Sequence, residues 1–275
     1  MKFRNLSKHG RRNFTACLFL FLGFAGSVAS ARGADADLAQ QALNPVAALI
    51  SLPMKLDWDT GIGPADADRS VWVVQPVIPI ELNDKWNVIS RTVTPVWIDL
   101  DATFQGGKST SGMGDILQSF FFSPKDATAS GWIWGVGPAI NVPTSSEPGL
   151  GTDTWGLGPT FVALKQSNGW TYGMLANQLW GLSDMDNGDK SSAMLLQPFL
   201  SFTTSKFTTF GINTESTYDW NSNEWTIPLN LSVTQMLKLG EQPLTIQLGY
   251  RHYLDAPSGG PDWGVRFQLT LLFPK

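Results

Sequence analysis

The sequence predicts a transmembrane antiparallel β-barrel of 12 strands, with a short helical segment near its N-terminus. Three observations predict this fold. Apolar and polar residues alternate along most of the chain, short and long connections follow each other in turn, and tryptophans lie at the ends of the alternating segments. A period of two residues is typical of an extended strand with two unlike faces. Within a bilayer, strands satisfy their backbone hydrogen bonds only when the sheet closes on itself.

The first 31 residues have the features of a secretory signal peptide. A basic head without acidic residues precedes an apolar stretch from Phe14 to Val28, and Ala29-Ser30-Ala31 supplies the small residues that signal peptidase accepts. The apolar stretch is shorter than the roughly 20 residues that a spanning helix needs, so a signal peptide is favoured over a membrane anchor. Together with the barrel, it predicts a location in the outer membrane of a Gram-negative bacterium.

Removal of the signal peptide changes the composition of the chain. The single cysteine, Cys17, lies inside the signal, which leaves about 244 residues without thiols or disulfides. The remaining 14 Lys and Arg against 23 Asp and Glu give a net charge of −9, which argues against nucleic acid as a partner. No later segment reaches 18 consecutive apolar residues, so spanning helices are excluded. The absence of a linker or composition break favours one domain.

Residues 32–48 are predicted to precede the barrel, which covers 49–275. The stretch from Asp37 to Leu49 is typical of a short helical piece, with Asn44 before Pro45 as a start signal. Two locations stay open for this piece. It could plug the lumen of the barrel, or it could lie in the periplasm.

Alternation marks the strands of the barrel. In the last segment Trp263 and Val265 share one face, while Arg266 and Gln268 share the other. A tilted strand crosses a bilayer with roughly 9–11 residues, and each segment is long enough. The facing of the third, fourth and seventh segments is ambiguous. The twelve predicted strands cover 49–62, 68–82, 85–98, 112–123, 131–142, 152–166, 170–181, 190–204, 206–218, 223–236, 243–254 and 262–274.

Connections and tryptophans orient the predicted barrel. Short turns such as Asn83-Asp84 alternate with longer polar connections such as 101–111 and 143–152. Short periplasmic turns and longer outer loops are typical of outer-membrane barrels, so both termini are expected in the periplasm. Indole rings prefer the headgroup layer, and a soluble β-sandwich would rarely place them by strand end. Trp86, Trp132 and Trp170 mark the short-turn side, and the long-loop side carries Trp72, Trp97, Trp155, Trp180, Trp220, Trp225 and Trp263.

Several prolines fall inside predicted strands, which is unusual for a closed barrel. Proline lacks the N–H that a β-ladder needs, and it usually marks an edge or a bulge. Because the sequence contexts repeat, they predict recurring β-bulges. The residues are Pro76, Pro79, Pro95, Pro138, Pro159, Pro198 and Pro228.

The chain also resembles a family of bacterial outer-membrane proteins named "MetA-pathway of phenol degradation", whose members are often labelled transporters and sometimes, mistakenly, neuromedin U. The resemblance implies a barrel that passes small compounds, with aromatic ones as candidates, and it implies no catalytic residues. The resembling stretches span nearly the whole mature chain: Leu43 to Pro53, Gln75 to Pro79, Phe122 to Lys125, Gly131 to Pro138, Asn213 to Trp220 and Pro261 to Lys275.

Charged and amide side chains occupy the inward phase of the predicted strands. They are Asp57, Gln75, Glu215, Asn230, Gln247, Arg251, Arg266 and Gln268. Asp57, Glu215, Arg251 and Arg266 lie at similar depth, so they are expected to form a charge cluster across the lumen. Closure of the barrel places Asp57 beside Arg266, and Glu215 supplies a second counter-charge for the adjacent arginines. The cluster could set ion selectivity, or it could only neutralise a packed lumen.

A lumen of this size is compatible with transport. Eight-stranded barrels are filled by side chains and barrels of 16–18 strands leave a wide pore, so 12 strands allow a narrow passage. The expected function is a channel or transporter for passive passage of small molecules, with aromatic and hydrophobic compounds as candidates. The alternative is a non-conducting structural or adhesive barrel. The expected partners are membrane lipid, lipopolysaccharide and the solute, while the oligomeric state stays open.

Catalytic, metal and cofactor sites are not expected. His252 is the only histidine after the signal, and Leu254 and Asp255 follow it in place of the serine and asparagine that 12-stranded membrane phospholipases pair with histidine. An interfacial histidine is the commoner explanation. The stretch from Ser183 to Asp189 resembles a calcium loop, but Gly188 falls one place early for that pattern. A solvated acidic outer loop is therefore predicted there.

Overall fold

The computed structural model describes residues 34–104, 106–184 and 190–274, and over these residues it confirms the closed antiparallel barrel of 12 strands. The signal peptide and most of the calcium-like stretch lie outside the described residues. A single short helix, α1 (Ala34–Gln41), precedes the barrel in the described part of the chain. The strands are β1 (Ile50–Ile62), β2 (Ala67–Val74 and Val77–Glu81), β3 (Trp86–Leu100), β4 (Thr110–Gly112 and Ile116–Pro124), β5 (Trp132–Val142), β6 (Gly156–Ser167), β7 (Trp170–Asp184), β8 (Lys190–Thr203), β9 (Thr208–Thr214 and Ser216–Asp219), β10 (Glu224–Leu239), β11 (Gln242–Asp255) and β12 (Trp263–Phe273).

Pairing between the first and last strands closes the barrel. Each strand pairs with the next along the chain, and β12 returns to β1 with Asp57 opposite Arg266. A barrel closed in this way presents no open sheet edge. Among the described residues, no helix has the length and apolar character to cross a membrane.

The two faces of the strands separate as the alternation predicts. Leu248 on β11 is 64% exposed and Val265 on β12 is 43% exposed, whereas Arg251 and Arg266 on the same strands are 6% exposed. The apolar phase therefore faces outward and the polar phase faces the lumen. Because outward apolar side chains need a non-aqueous surrounding, this exterior fits a lipid bilayer.

The structure also shows which residues of the three ambiguous strands face the lumen. Ile89 on β3 and Phe121 on β4 are fully buried, and Leu175 on β7 is nearly so. Their neighbours Phe122 and Met174 are exposed on the outer surface. These three strands therefore direct an apolar residue into the lumen, which is why their polarity pattern gave no clear answer.

Tryptophans form the two predicted aromatic belts. On the short-turn side Trp132 packs edge to face against Tyr172, with ring centroids 5.9 Å apart, and Trp170 lies 4.9 Å from Phe202. On the long-loop side Trp220 packs edge to face against Tyr218. Outward-facing rings at both ends of the strands are typical of membrane–water interfaces. The outward and exposed tryptophans are Trp72, Trp97, Trp132, Trp155, Trp170, Trp180, Trp220 and Trp263.

The prolines interrupt the hydrogen-bond ladder in two different ways. Pro95 and Pro228 adjoin shifts in the pairing register, as the predicted bulges require. At Pro76, Pro138 and Pro159 the register is the same on both sides of the interruption, and at Pro79 the pairing with β3 continues without a shift, so the bulge prediction is wrong at these four positions. The same holds for Pro198 at the break in β9. A proline removes one donor without requiring an extra residue, so a rung is lost while the register continues.

Glycines precede two of these prolines and allow the neighbouring strand to approach. A Cβ at Gly137, before Pro138, would collide with the main-chain oxygen of Phe120. A Cβ at Gly158 would collide with the main-chain oxygen of Gln178. Only glycine permits such close backbone approach. Each Gly-Pro pair therefore keeps the sheet continuous although one hydrogen bond of the ladder is missing.

Residues 34–49, here called the N-terminal segment, lie inside the short-turn half of the barrel. Leu38, Ala39 and Leu49 pack in one apolar cluster with Met236 on β10 and Leu272 on β12. On the opposite wall Val46 packs in a second cluster, whose members include Phe121, Val162 and Leu164 from β4 and β6. The segment therefore contacts both sides of the lumen.

The helix in this segment lies earlier than predicted. It ends at Gln41, and Asn44-Pro45 follows it instead of starting it. The side-chain oxygen of Asn44 accepts a hydrogen bond of 2.9 Å from the backbone N–H of Val46. Asparagine stabilises such a turn as well as it caps a helix, so the dipeptide marks a turn here. Gln166 on β6 holds the helix end by donating to the carbonyl of Gln40 at 2.7 Å.

Candidate functional site: the charged lumen

The structure brings the four predicted charged residues together. Asp57 on β1, Arg251 on β11 and Arg266 on β12 are each 6% exposed, and Glu215 reaches them from the break in β9. All four side chains lie on the lumen face of their strands. They stand at similar distances from the same rim of the barrel, so they share a common depth. They occupy the long-loop half of the lumen, above the N-terminal segment.

Arg266 is the centre of this group. Its Nε and Nη2 atoms lie 2.6 and 2.9 Å from the two carboxylate oxygens of Asp57. Its Nη1 and Nη2 atoms each donate to Glu215 at 2.8 Å. One guanidinium thus holds two carboxylates, each in a two-point contact that suits the planar fork of arginine.

Arg251 shares Asp57 with Arg266. Its Nη1 atom lies 2.5 Å from Asp57 Oδ2, and its Nη2 atom donates to the hydroxyl of Tyr253 at 2.9 Å. Its Nε atom lies 3.3 Å from Asp59 Oδ1 without hydrogen-bond alignment. Asp57 therefore bridges both arginines, and Glu215 forms an ion pair with Arg266.

Three further charged residues complete what we call the lumen cluster: Lys55, Asp59 and Arg69. Lys55 Nζ lies 3.5 Å from Asp57, and Arg69 pairs with Asp59 at 2.9 Å. Sequence reasoning missed these residues although the signal was present, because Lys55 and Asp59 stand two positions either side of Asp57 in the same phase. The lumen cluster holds four basic and three acidic groups, hence one excess positive charge.

A cavity of about 230 Å³ lies between the lumen cluster and the N-terminal segment. Leu175 and Phe199 supply apolar wall, Arg91 supplies a charge, and the N-terminal segment contributes residues from Gln41 to Leu49. The predicted inward amides Gln75, Gln247 and Gln268 are on its surface. The amide side chains that line it are Gln41, Asn44, Gln75, Gln197, Asn213, Gln247 and Gln268.

Asp115 joins two outer loops on the long-loop side. Its carboxylate accepts hydrogen bonds from the backbone N–H groups of Thr144, Ser145 and Thr152, and from the side chain of Asn141. Burial raises the pKa of Asp115, but these hydrogen bonds outweigh it and hold the pKa below its ordinary value of 3.8. The carboxylate therefore acts as a charged clamp between residues 113–115 and 141–152.

The described residues hold no group of three or more His, Cys, Asp or Glu side chains arranged for a metal ion. His252 is exposed on the outer face, opposite Trp263 in the pairing of β11 with β12. Residues 185–189 of the calcium-like stretch are outside the described part of the chain. The expectation that the protein is not an enzyme stays a prediction.

Comparison with known proteins finds similar folds at low sequence identity. A solved structure of the COG4313 outer membrane channel from Pseudomonas putida F1 superposes with a TM-score of 0.64 at 14% identity, over 82% of this chain and 96% of that chain. A structure of the NanC porin superposes with a TM-score of 0.51 at 10% identity, over 82% of this chain and all of the other. No family model and no curated protein matches the sequence. The closed barrel, its apolar exterior and these folds place the protein among outer-membrane barrels.

Proposed function

We propose that the protein is an outer-membrane channel for passive passage of small molecules. The observation that carries the proposal is the polar lining of the lumen. The amide-lined cavity lies next to the lumen cluster along β12, since Gln268 lines the cavity and Arg266, two residues away in the same phase, belongs to the cluster. Desolvated charges are costly, and a lumen that served only as a filled scaffold could be packed with apolar residues at lower cost.

The residues that line the cavity also favour a solute with an apolar part. The cavity wall includes Val77, Leu175 and Phe199 beside the amides. A solute that contacts both sides would be small and amphipathic, which agrees with the aromatic or hydrophobic compounds implied by the resemblance to the "MetA-pathway of phenol degradation" family. Cavities that bind such compounds combine apolar walls with a few polar groups.

The N-terminal segment narrows the passage in this proposal. It packs against β10 and β12 on one side and against β4 and β6 on the other, at the short-turn end of the cavity. A solute that leaves through this end must pass the segment or displace it. The segment thus acts as a plug that limits conductance.

Single-channel recording in planar bilayers tests the proposal. The mature chain is expected to give small conductance steps, and a variant lacking residues 34–46 is expected to give larger ones. Heat-modifiable migration on a gel confirms that each sample is folded. Folded protein that inserts into the bilayer and conducts no ions, with or without the segment, would contradict a channel.

A non-conducting structural or adhesive barrel is the second candidate. The tight packing at the depth of the lumen cluster favours it, because Arg251 and Arg266 are 6% exposed and leave little open space around them. The same recordings separate the two candidates. A scaffold gives no conductance steps in either form, whereas a channel gives steps that grow when the plug is removed.

A further inference from the structure

We propose that the cavity beside Arg91 is a binding site for a small organic carboxylate with an apolar body. The inference rests on the proposed function and deepens it by naming the class of solute. Arg91 lies on β3, outside the lumen cluster, and it borders the cavity of about 230 Å³. That volume is below the roughly 300–1,000 Å³ typical of pockets for drug-sized ligands, so the site suits a smaller molecule.

Arg91 differs from the other lumen arginines in its partners. Arg266 holds two carboxylates and Arg251 holds Asp57, but among the described residues no carboxylate lies within ion-pair distance of Arg91. Within the described part of the chain, its Nη2 atom donates one hydrogen bond of 3.3 Å to the side-chain oxygen of Gln75. A guanidinium carries five N–H donors, so most of the fork is available to a ligand in the cavity.

The charge balance around the cavity favours an anion. The lumen cluster carries one excess positive charge, and Arg91 adds a second. Glu215, the acidic group of the cluster that acts on Arg91, is already held at two points by Arg266. A carboxylate ligand would neutralise Arg91 and accept two parallel hydrogen bonds from its fork, which a neutral or cationic solute cannot do.

The remaining lining explains the apolar body. Leu175 and Phe199 border the same cavity, together with Pro45 from the N-terminal segment and Pro53 from β1. These side chains would contact a hydrocarbon or ring whose carboxylate faces Arg91. Burial of apolar surface adds to the affinity without competing for the charged fork.

Three probes of nearly equal size test the site: benzoate, benzyl alcohol and benzylamine. Binding to the folded mature protein in detergent is measured by equilibrium dialysis, which requires no conductance. Benzoate is expected to bind at least about tenfold more tightly than the other two, since hydrogen bonds to charged groups contribute about 1.5–3 kcal/mol. Equal affinities for the three probes would overturn the proposal, and this comparison needs no variant.

Matched variants locate the site. Arg91→Gln is expected to weaken benzoate binding at least about tenfold and to leave benzyl alcohol binding unchanged. Lys85→Gln removes the same charge from an exposed turn of the same hairpin and is expected to change neither. Undiminished benzoate binding by a folded Arg91→Gln variant would overturn the assignment. Because dialysis reports binding alone, a barrel that binds benzoate without conducting would refute the channel and keep the site.

Discussion

Arg266 on the last strand donates two hydrogen bonds, of 2.6 and 2.9 Å, to Asp57 on the first strand, and the two residues are directly opposite each other in the pairing that closes the barrel. The two residues stand 209 positions apart in the sequence. The same guanidinium also holds Glu215, so one side chain links barrel closure to the charge balance of the lumen. This relationship makes Arg266 the most informative single position for mutation.

Arg266→Ala is expected to destabilise the barrel by about 3–5 kcal/mol, because the buried Asp57 and the half-buried Glu215 would lose the arginine that they share. Equilibrium unfolding by urea in lipid vesicles measures the change. Arg69→Ala is the matched comparison, since its side chain is 35% exposed and contacts one carboxylate, and a smaller loss is expected. Similar losses for the two variants would contradict the central role of Arg266.

Arg251→Ala tests whether the lumen cluster sets ion selectivity. The change removes the excess positive charge of the cluster, so the reversal potential in a salt gradient is expected to shift toward cation preference. Lost stability with unchanged selectivity would instead assign Arg251 to packing. An unchanged reversal potential together with unchanged stability would contradict both roles.

Leu248→Arg tests the outward facing of the apolar phase. Leu248 lies in the middle of β11 and is 64% exposed to the surrounding lipid, so an arginine there is expected to cost about 2–4 kcal/mol. Leu239→Arg provides the control, because Leu239 is similarly exposed but lies at the short-turn end of β10, where the cost falls to about 0–1 kcal/mol. Unfolding in vesicles measures both. Equal costs would place the membrane elsewhere on the barrel.

Much of this architecture is predictable from the sequence because its determinants are local. Strand number, closure and the depth of Asp57 and Arg266 follow from a residue period of two and from alternating connections. The facing of β3, β4 and β7 was not predictable, since Ile89, Phe121 and Leu175 place apolar residues inside the lumen. They do so because the N-terminal segment enters the barrel and covers this wall, a contact between distant parts of the chain.

The candidate site was predictable in its centre and not in its details. Phase and depth selected Asp57, Glu215, Arg251 and Arg266, but they did not determine which carboxylate each arginine would hold. Glu215 contacts Arg266, three strands away, because long side chains reach across the lumen independently of strand neighbourhood. The absence of a carboxylate beside Arg91 among the described residues was not predictable for the same reason, since it depends on which charges lie opposite in space.

Acidic solution is expected to release the outer loops that Asp115 clamps. The pKa of Asp115 is lowered in the folded protein, so its contribution to stability is present above its ordinary value of 3.8 and is lost as the pH falls through the lowered folded value. Hydrogen exchange of the Thr144, Ser145 and Thr152 amides, corrected for intrinsic pH dependence, is expected to accelerate below about pH 3.8. Exchange that stays constant over this range would contradict a charged clamp.

Asp115→Asn is expected to loosen the same loops at neutral pH, because a neutral amide accepts fewer and weaker hydrogen bonds from the backbone N–H groups than a carboxylate does. Trypsin cleavage at Lys108, which lies exposed in the connection before Asp115, measures this opening. Asp101→Asn is the matched control, since it makes the same change of charge in an exposed side chain of the same connection. We expect several-fold faster cleavage for the Asp115 variant and an unchanged rate for the control. Equal rates for the two variants would show that the loops are held by packing and not by the carboxylate.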